Sequence, residues 1–432
     1  MNQTRRVFLG SVLATVVIRP AIGAEPPRVL TARKARKRLW PEPAEETAVQ
    51  GFDGLVPGPV LRVKLGEEVR LRFANELDSP TSIHWRGVRG PNAMDGAAPL
   101  TQAPVAKGET FEIGFTPPDA GLFLYHPGFR QQALDQMAAG LSGLLIVEER
   151  EPPKVDHDVV CLLADWTGPE GAPPLVSING EREPTAVEMP PGSRVRLRLA
   201  NASGRRIMAV GCEGARAQVA AIDGQPCDLF EPVRQTLPLT PGGRFDVFFD
   251  MPPETDAHVS VVLRGMTGST AGPQPLLRFV TKGDAREALP AMTPLPVNKL
   301  LPGSIGLEKA KRVDLTIEGG PVAQGVPKPW SLNGQASETL PAKPAFSVKR
   351  GTPVSLGFLN RSGIAHQMHV HGHAMRQLHL LDDGWEPYWR DAVVVPEGRT
   401  VRVAFVADNP GKWLIESGFG TASGPATWFE VT

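Results

Sequence analysis

Cysteine is scarce in this chain of 432 residues: three thiols occur, and the last of them is Cys227. A charge excess is also absent, because 46 basic residues balance 46 acidic ones, so nothing indicates nucleic acid or an anionic membrane surface as a partner. Beyond the N-terminal segment, no apolar run is long enough to span a bilayer. We expect a soluble mature protein without stable membrane insertion, whose protein or small-molecule partner the sequence does not name.

Short alternating apolar runs are frequent, and Gly, Pro, Asn or Asp ends each one. Examples lie at 60–63, 69–73, 195–199 and 401–406. The 45 glycines and 44 prolines would suggest disorder without such periodicity, but with it they supply the turns between strands. Helix-period patterns are few. The sequence therefore predicts an all-β chain of antiparallel sandwiches.

The N-terminus has the pattern of an export signal. Thr4 begins the twin-arginine sequence TRRVFLG, an apolar run follows as far as Ile18, and small residues up to Ala24 offer a cleavage site. We expect residues 1–24 to be a twin-arginine signal peptide that directs the protein to a bacterial periplasm.

Three blocks of the chain repeat a common plan. In the second and third blocks, a strand ending in Asn179-Gly180 or Asn333-Gly334 is followed by a strand that ends in Asn201 or Asn360. This repetition predicts three tandem sandwich domains, at 27–150, 155–285 and 300–432.

The cysteines leave two interpretations open. An oxidising compartment would permit a Cys212–Cys227 disulfide, but the favoured interpretation is that Cys161, Cys212 and Cys227 are three small buried apolar residues.

Histidines concentrate in three short stretches that contain six of the nine. The stretches are IHWRG at 83–87, YHPGF at 125–129 and HQMHVHGH at 366–373. Alternating residues of a strand present side chains to the same face, and imidazoles at such spacing are typical of a copper site.

Four further sequences complete a resemblance to a known family. They are PNAMDG at 91–96, FTPPDAG at 115–121, YWRD at 388–391 and DNPGKW at 408–413. Over nearly its whole length after residue 24, the chain resembles three-domain multicopper oxidases of the laccase and copper-resistance type. The resemblance implies three cupredoxin-like Greek-key β-sandwich domains and copper as the cofactor.

The family holds its coppers with four motifs, HxHG, HxH, HxxHxH and HCHxxxH, and two are altered in the first block. The first motif keeps His84 but has Arg86 in place of its second histidine. The second motif keeps His126 but has Gly128.

The remaining two motifs differ sharply in how much survives. The third is complete and implies His366 as a type 1, His369 as a type 2 and His371 as a type 3 copper ligand. The fourth is replaced by Glu416-Ser417-Gly418, and the hydroxyl of Ser417 cannot form a Cu–thiolate bond.

The type 2 pair, His84 and His369, is thus intact. With His126 and His371 nearby, the resemblance predicts at most one mononuclear Cu²⁺ or Zn²⁺ site, with Asp95 as a proton donor, while Thr421 replaces the family's other acidic helper. Alternatively, His84 and His126 are structural remnants at a domain interface and no metal binds.

Glu416 has two open interpretations. It adds a carboxylate to the metal site, or it pairs with a buried Arg86 and fills the former copper volume.

These features favour an exported multicopper-oxidase-like protein that has lost its type 1 and type 3 sites. Its expected role is non-canonical copper binding, or binding as a scaffold in the periplasm. The alternative is a copper-dependent oxidoreductase that uses the residual type 2-like site; oxygen reduction of the laccase kind is not expected.

Overall fold

The structure, a computed structural model, describes residues 27–42, 44–168, 174–320, 326–379, 384–418 and 424–432. The expected signal at 1–24 and Thr421 lie outside these ranges. Among the described helices, none is long and apolar enough to cross a membrane. Strands dominate, so the all-β prediction is confirmed.

The first eight strands form two four-stranded sheets with one helix. They are β1 (Arg28–Lys37), β2 (Thr47–Phe52), β3 (Leu61–Lys64), β4 (Val69–Asn75), β5 (Ile83–Arg86), β6 (Thr110–Phe115), β7 (Gly121–Pro127) and β8 (Gly143–Glu148), with a 3-10 turn at Asn92–Met94 and α1 (Arg130–Ala138). The sheet orders are β2-β1-β4-β6 and β3-β8-β7-β5. β4 is a strand because Val69, Leu71 and Phe73 alternate with polar residues and pack into the core.

The next eleven strands form a second pair of sheets. They are β9 (His157–Trp166), β10 (Leu175–Ile178), β11 (Thr185–Met189), β12 (Arg194–Asn201), β13 (Met208–Glu213), β14 (Gln218–Ile222), β15 (Gln225–Phe230), β16 (Thr236–Leu239), β17 (Arg244–Asp250), β18 (His258–Met266) and β19 (Gln274–Thr281), with a 3-10 turn at Val233–Gln235. The orders are β10-β9-β12-β17-β14-β15 and β11-β19-β18-β13-β16.

The last eleven strands form a third pair. They are β20 (Lys311–Gly320), β21 (Lys328–Leu332), β22 (Gln335–Ala336), β23 (Phe346–Val348), β24 (Thr352–Asn360), β25 (His366–Val370), β26 (Arg376–Gln377), β27 (Ala392–Val395), β28 (Thr400–Ala407), β29 (Gly411–Ser417) and β30 (Ala426–Val431), preceded by a 3-10 turn at Leu307–Lys309. The orders are β22-β21-β20-β24-β28-β26 and β23-β30-β29-β25-β27.

The three pairs share one construction. In each, the first strand pairs in parallel with a later one: β1 with β4, β9 with β12, and β20 with β24. Each pair encloses its own apolar core. The strands of the pairs lie at 28–148, 157–281 and 311–431, while the domain boundaries remain predictions.

A buried asparagine ends the equivalent strand in every pair. The amide groups of Asn75, Asn201 and Asn360 each donate to two or three backbone carbonyls in loops or at strand ends. Each side-chain oxygen accepts from the backbone N–H two residues later. Because buried backbone groups need partners, this one side chain stabilises the turn after the strand. The repetition seen in the sequence therefore has a structural cause.

The cysteines pack as apolar residues. All three lie in the described part of the chain and are free thiols, so no Cys212–Cys227 disulfide forms. Cys161 and Cys212 belong to the second core and Cys227 packs against it. Burial raises the pKa of each thiol to about 12.

Arg244 joins the three groups of strands. Its guanidinium is completely buried and donates to the carbonyls of Leu122, Gly242 and Asp223. It also donates to the Asp391 carboxylate. Since Leu122 belongs to the first pair and Asp391 precedes β27 of the third, this one side chain links all three pairs.

Candidate metal centre

Two antiparallel strands of the first pair present histidines side by side. In the register of β5 and β7, His84 lies opposite His126, and every residue of β5 is buried. Both strands are buried along their whole length, so the polar side chains that they carry are enclosed within the protein.

A third strand supplies the remaining histidines. β25 lies between β27 and β29, with His369 opposite Ala392 and Glu416. Because side chains alternate along a strand, His366 points to the same face as Met368 and away from His369. The HxxHxH spacing therefore divides its histidines between two places.

Three imidazoles converge. His84, His369 and His371 are buried, and each offers one ligand nitrogen within 4.8 Å of the others. The Nε2 atoms of His84 and His369 are 3.2 Å apart. Two nitrogens bound to one ion at about 2.0–2.1 Å lie roughly 3–4 Å apart, so this separation suits a shared metal.

Hydrogen bonds set the tautomers of two of these rings. His84 Nδ1 lies 2.9 Å from the Asp95 carbonyl, and His369 Nδ1 lies 2.8 Å from the Asp391 carbonyl. A carbonyl oxygen only accepts, so both Nδ1 atoms carry protons and both Nε2 lone pairs face each other. Two facing lone pairs in a buried site need a proton or a cation between them, and such backbone partners are typical of metal-ligating histidines.

His371 differs because carboxylates flank both nitrogens. Its Nδ1 lies 2.9 Å from Asp95 Oδ2, and its Nε2 lies 3.4 Å from Glu416 Oε1. Burial alone would lower the pKa of His371, but Asp95 and Glu416 outweigh it and raise the pKa to about 9. Burial likewise opposes ionisation of Asp95, yet His371 and His84 hold its pKa well below the usual range. Asp95 thus contacts two of the three rings.

His126 lies beside this trio and outside it. Its ring centroid is 5.2 Å from that of His84, its Nδ1 lies 2.8 Å from the Pro127 carbonyl, and its Nε2 has no hydrogen-bond partner among the residues described. Burial, His84 and the Arg86 charge lower its pKa well below the usual value.

His366 occupies a different place altogether. Its Nδ1 lies 3.0 Å from Ser417 Oγ and its Nε2 lies 2.9 Å from Ser362 Oγ, while Trp330 packs edge-on at 4.8 Å. Burial lowers the pKa of His366 to about 4. The structure therefore does not bring His366 to the trio.

Arg86 is buried and does not pair with Glu416. Its Nε lies 3.6 Å from Asp391 Oδ1, whereas Glu416 pairs with Arg130 of α1 at 3.4 Å and with His371. The predicted Arg86–Glu416 pair is wrong because each residue has a different charged neighbour within reach. Burial lowers the pKa of Arg86 despite the opposing effect of Asp391.

Comparison with known proteins places the chain. Models of the multicopper oxidase family match residues 35–152, 105–275 and 313–423. The structure of Lac15 from a marine microbial metagenome is 33% identical, covers 94% of this chain and 100% of its own, and superposes with a TM-score of 0.78. The chain belongs to the multicopper oxidase family.

Other relatives agree over similar lengths. A multi-copper oxidase from Pseudomonas Parafulva is 28% identical with a TM-score of 0.80, covering 94% of this chain and 100% of its own. Multicopper oxidase MmcO of Mycobacterium tuberculosis is 26% identical, over 91% of this chain and 86% of its own length. The cupredoxin-type sandwich fold expected from the motifs is therefore confirmed.

Three charged residues of this multicopper oxidase site escaped the sequence reasoning. Asp391 positions His369, Arg130 holds Glu416, and Arg244 holds Asp391. Asp391 stands in the YWRD motif, which indicated the fold, and Arg130 follows His126 by four residues. Only the folded arrangement shows what they contact.

Proposed function

We propose that this multicopper oxidase family member is a copper-binding protein with one mononuclear site at His84, His369 and His371. The observation that carries the proposal is the convergence of these three buried imidazoles, whose ligand atoms lie within 4.8 Å of one another. His371, whose pKa is raised to about 9, must first release a proton, after which three neutral imidazoles suit Cu²⁺, and Zn²⁺ binds the same donor set.

The surroundings of His366 support the absence of a type 1 copper. Ser417 stands where the family has its cysteine, and its hydroxyl is hydrogen-bonded to His366 Nδ1. A blue copper site needs two imidazoles, a thiolate and a weak axial ligand. No histidine, cysteine or methionine follows Ser417 in the sequence. The residues therefore do not fit this copper, and electron entry from a reducing substrate lacks its usual site.

Arg86 and Gly128, which replace histidines of the first and second motifs, support the absence of the family's paired type 3 copper centre. Arg86 places a permanent cation where a histidine would bind a metal. A Cβ on Gly128 would lie 2.3 Å from the Gly96 carbonyl oxygen, so the backbone leaves no space for a side chain there. The paired centre needs six imidazoles, and these two positions do not supply theirs. We infer that the protein does not reduce oxygen by the four-electron route.

The residues around the trio would orient the ligands of a single copper, hold a proton beside it and exclude water. When bound, copper supplies a Lewis acid and a one-electron redox centre. The carbonyls of Asp95 and Asp391 orient His84 and His369, and the Asp95 carboxylate holds a proton at His371 Nδ1. Burial of all three rings excludes bulk water from the site.

A copper-dependent oxidoreductase is the second candidate. The observation that favours it is the buried Asp95 carboxylate, 2.9 Å from His371 Nδ1, because this pair can deliver a proton to a molecule reduced at the site. If the copper-loaded protein oxidises a small electron donor in single-electron steps, this candidate is favoured over copper binding alone.

Export completes the proposal. The twin-arginine sequence at 4–10 and the small residues before Ala24 support delivery to the periplasm as a folded protein. Fractionation of cells that produce the wild type and an Arg5→Lys/Arg6→Lys variant tests this, since loss of the pair should retain the protein in the cytoplasm. Equal periplasmic yield of both would refute the route.

Copper titration tests the site. Metal-free protein should take up one Cu²⁺ tightly, His369→Ala should lose that binding, and His366→Ala should keep it. The His366 variant is a matched control because it removes a buried imidazole of the same strand outside the trio. Tight binding of several coppers, or rapid oxygen consumption with phenols or Cu⁺, would overturn the proposal. Absence of copper uptake by the wild type would also overturn it, and would leave a scaffold role as the remaining interpretation.

A further inference from the structure

Glu416 lies beside the trio, on the strand next to the one that carries His369. β25 and β29 are antiparallel neighbours, and Glu416 is the register partner of His369. Side chains of directly paired residues in a sheet point to the same face. Glu416 therefore faces the same buried space as His369.

One oxygen of Glu416 lies beside the His371 nitrogen that remains for a metal. Asp95 Oδ2 engages His371 Nδ1 at 2.9 Å, so Nε2 is the nitrogen left for an ion. Glu416 Oε1 lies 3.4 Å from that Nε2. Two atoms bound to one ion at about 2.0–2.2 Å lie roughly 3–4 Å apart, so this separation suits a shared metal. In the metal-free protein the His371 proton joins the two atoms, and a metal ion would take the place of that proton.

The other two carboxylates at the trio face the opposite side of its rings. Asp95 contacts the Nδ1 atoms of two rings, and Asp391 Oδ1 lies 3.5 Å from the Nδ1 of the third. The nitrogens that face each other within the trio are Nε2 atoms. Of the carboxylates within the described ranges that contact the trio, Glu416 is therefore the one on the Nε2 side. A divalent ion bound by neutral imidazoles alone keeps its whole charge in a buried place, which is unfavourable, and this carboxylate would reduce that charge.

The second oxygen of Glu416 is held from the far side. Its Oε2 lies 3.4 Å from Arg130 Nε, and the two terminal nitrogens of Arg130 donate to the carbonyls of Ser337 and Gly424. Carboxylates that bind metals are usually held by a further group in this way, which fixes their orientation. Arg130 thus directs the first oxygen of Glu416 toward the trio.

The carboxylate also has room to approach an ion. It lies outside the group of ligand atoms that are within 4.8 Å of one another, so a turn of the side chain must bring it closer. The Glu416 side chain is 23% exposed, whereas the three rings are 2–3% exposed, and Glu416 lines a cavity of about 40 Å³. Because the side-chain bonds of glutamate rotate and free space lies beside them, this turn can occur within the side chain.

We propose that Glu416 is the fourth ligand of the metal site, so that three imidazoles and one carboxylate surround a single ion. The inference rests on the copper function proposed above and adds to it a ligand outside the trio. Imidazole nitrogens and a carboxylate oxygen are donors that both Zn²⁺ and Cu²⁺ accept.

Copper titration and electron paramagnetic resonance of the full-length protein test this ligand with two variants. Glu416→Gln keeps the size of the side chain, so it should still bind one Cu²⁺, at least about tenfold more weakly and with a shifted type 2 signal. Glu416→His should bind one Cu²⁺ with coupling to a fourth imidazole nitrogen. A carboxylate that acted only through its charge would lower the affinity in Glu416→Gln but would give no additional coupling in Glu416→His.

Glu149→Gln is the matched control. Glu149 is 12% exposed and pairs with a buried arginine, Arg196, so the change removes a similar charge that is not in contact with the trio. Its copper affinity and signal should match those of the wild type.

A third variant covers the case in which both changes at position 416 prevent folding. Arg130→Gln leaves the carboxylate in place but removes the group that holds its Oε2, so the affinity should fall about tenfold while one copper still binds. A wild-type signal in Glu416→Gln, no further nitrogen coupling in Glu416→His, or wild-type affinity in Arg130→Gln would overturn the fourth ligand and leave the three-histidine site standing. Absence of copper uptake by the wild type would overturn both.

Discussion

His84 and His369 come from the first and third groups of strands, yet their Nε2 atoms lie 3.2 Å apart in a buried site. Each ring is held by a backbone carbonyl, of Asp95 and Asp391 respectively. The fold thus brings two acceptor nitrogens together from positions 285 residues apart. This relationship underlies the copper proposal.

Removing the Asp391 carboxylate should destabilise the protein strongly. Asp391→Ala leaves Arg244 and Arg86 buried without their shared anion, so we expect a loss of about 3–5 kcal/mol in the free energy of unfolding. Urea denaturation measures it. Asp135→Ala is the control, because Asp135 pairs with Arg205 at the surface and such pairs contribute less than about 1 kcal/mol. Similar losses in both variants would contradict this account.

Restoring the family histidine at position 128 should not restore a copper. In Gly128→His, the new Cβ would lie 2.3 Å from the Gly96 carbonyl oxygen, so the strand must shift, at a cost of about 1–3 kcal/mol or more. Thermal unfolding and metal content check both statements. Gly418→Ala should be neutral by comparison, since its Cβ makes only ordinary contacts. A stable Gly128→His protein with additional copper would refute the argument.

Ser417→Cys should place a thiol beside His366 without producing a blue copper site. The Ser417 oxygen lies 3.0 Å from His366 Nδ1, so a thiolate at this position would have the His366 imidazole as a neighbour. No further histidine or methionine follows in the sequence to complete the set. Visible absorption after copper addition is the measurement. An intense blue band would show that other ligands complete the site.

The thiols should be inert in the folded protein and should make its stability fall at high pH. Burial raises the pKa of Cys161, Cys212 and Cys227 to about 12, above the value of about 8.5 for an unfolded chain. The unfolded state therefore loses these protons first, so the contribution of the thiols to stability is constant below about pH 8.5 and falls as pH rises from there toward 12. Thiol-reagent kinetics at pH 8 should show reaction only on unfolding, with half-buried Cys227 the first to react if any does. Rapid modification of all three in the native state would contradict their burial.

The sequence predicted the β-sandwich fold, and of the four imidazoles that it predicted around one cavity, three converge and His126 lies beside them. Period-two apolar patterns determine strands, and the asparagines that end β4, β12 and β24 mark equivalent turns. His84, His369 and His371 could be identified from the sequence because they stand in compact motifs.

What the sequence could not supply was the pairing of distant charges. Glu416 lies opposite His369 in the sheet, but the guanidinium that reaches it comes from Arg130 on α1. Arg86 faces Asp391, a residue 305 positions later along the chain. Because such partners depend on how separate sheets pack, no local pattern predicts them.

Electron paramagnetic resonance of the copper-loaded protein tests the central claim most directly. With one equivalent of Cu²⁺, the wild type and His366→Ala should give the same type 2 signal with nitrogen couplings from imidazoles, and His369→Ala should lose it. A type 1 signal, or a type 2 signal that persists in His369→Ala, would contradict a single copper at His84, His369 and His371.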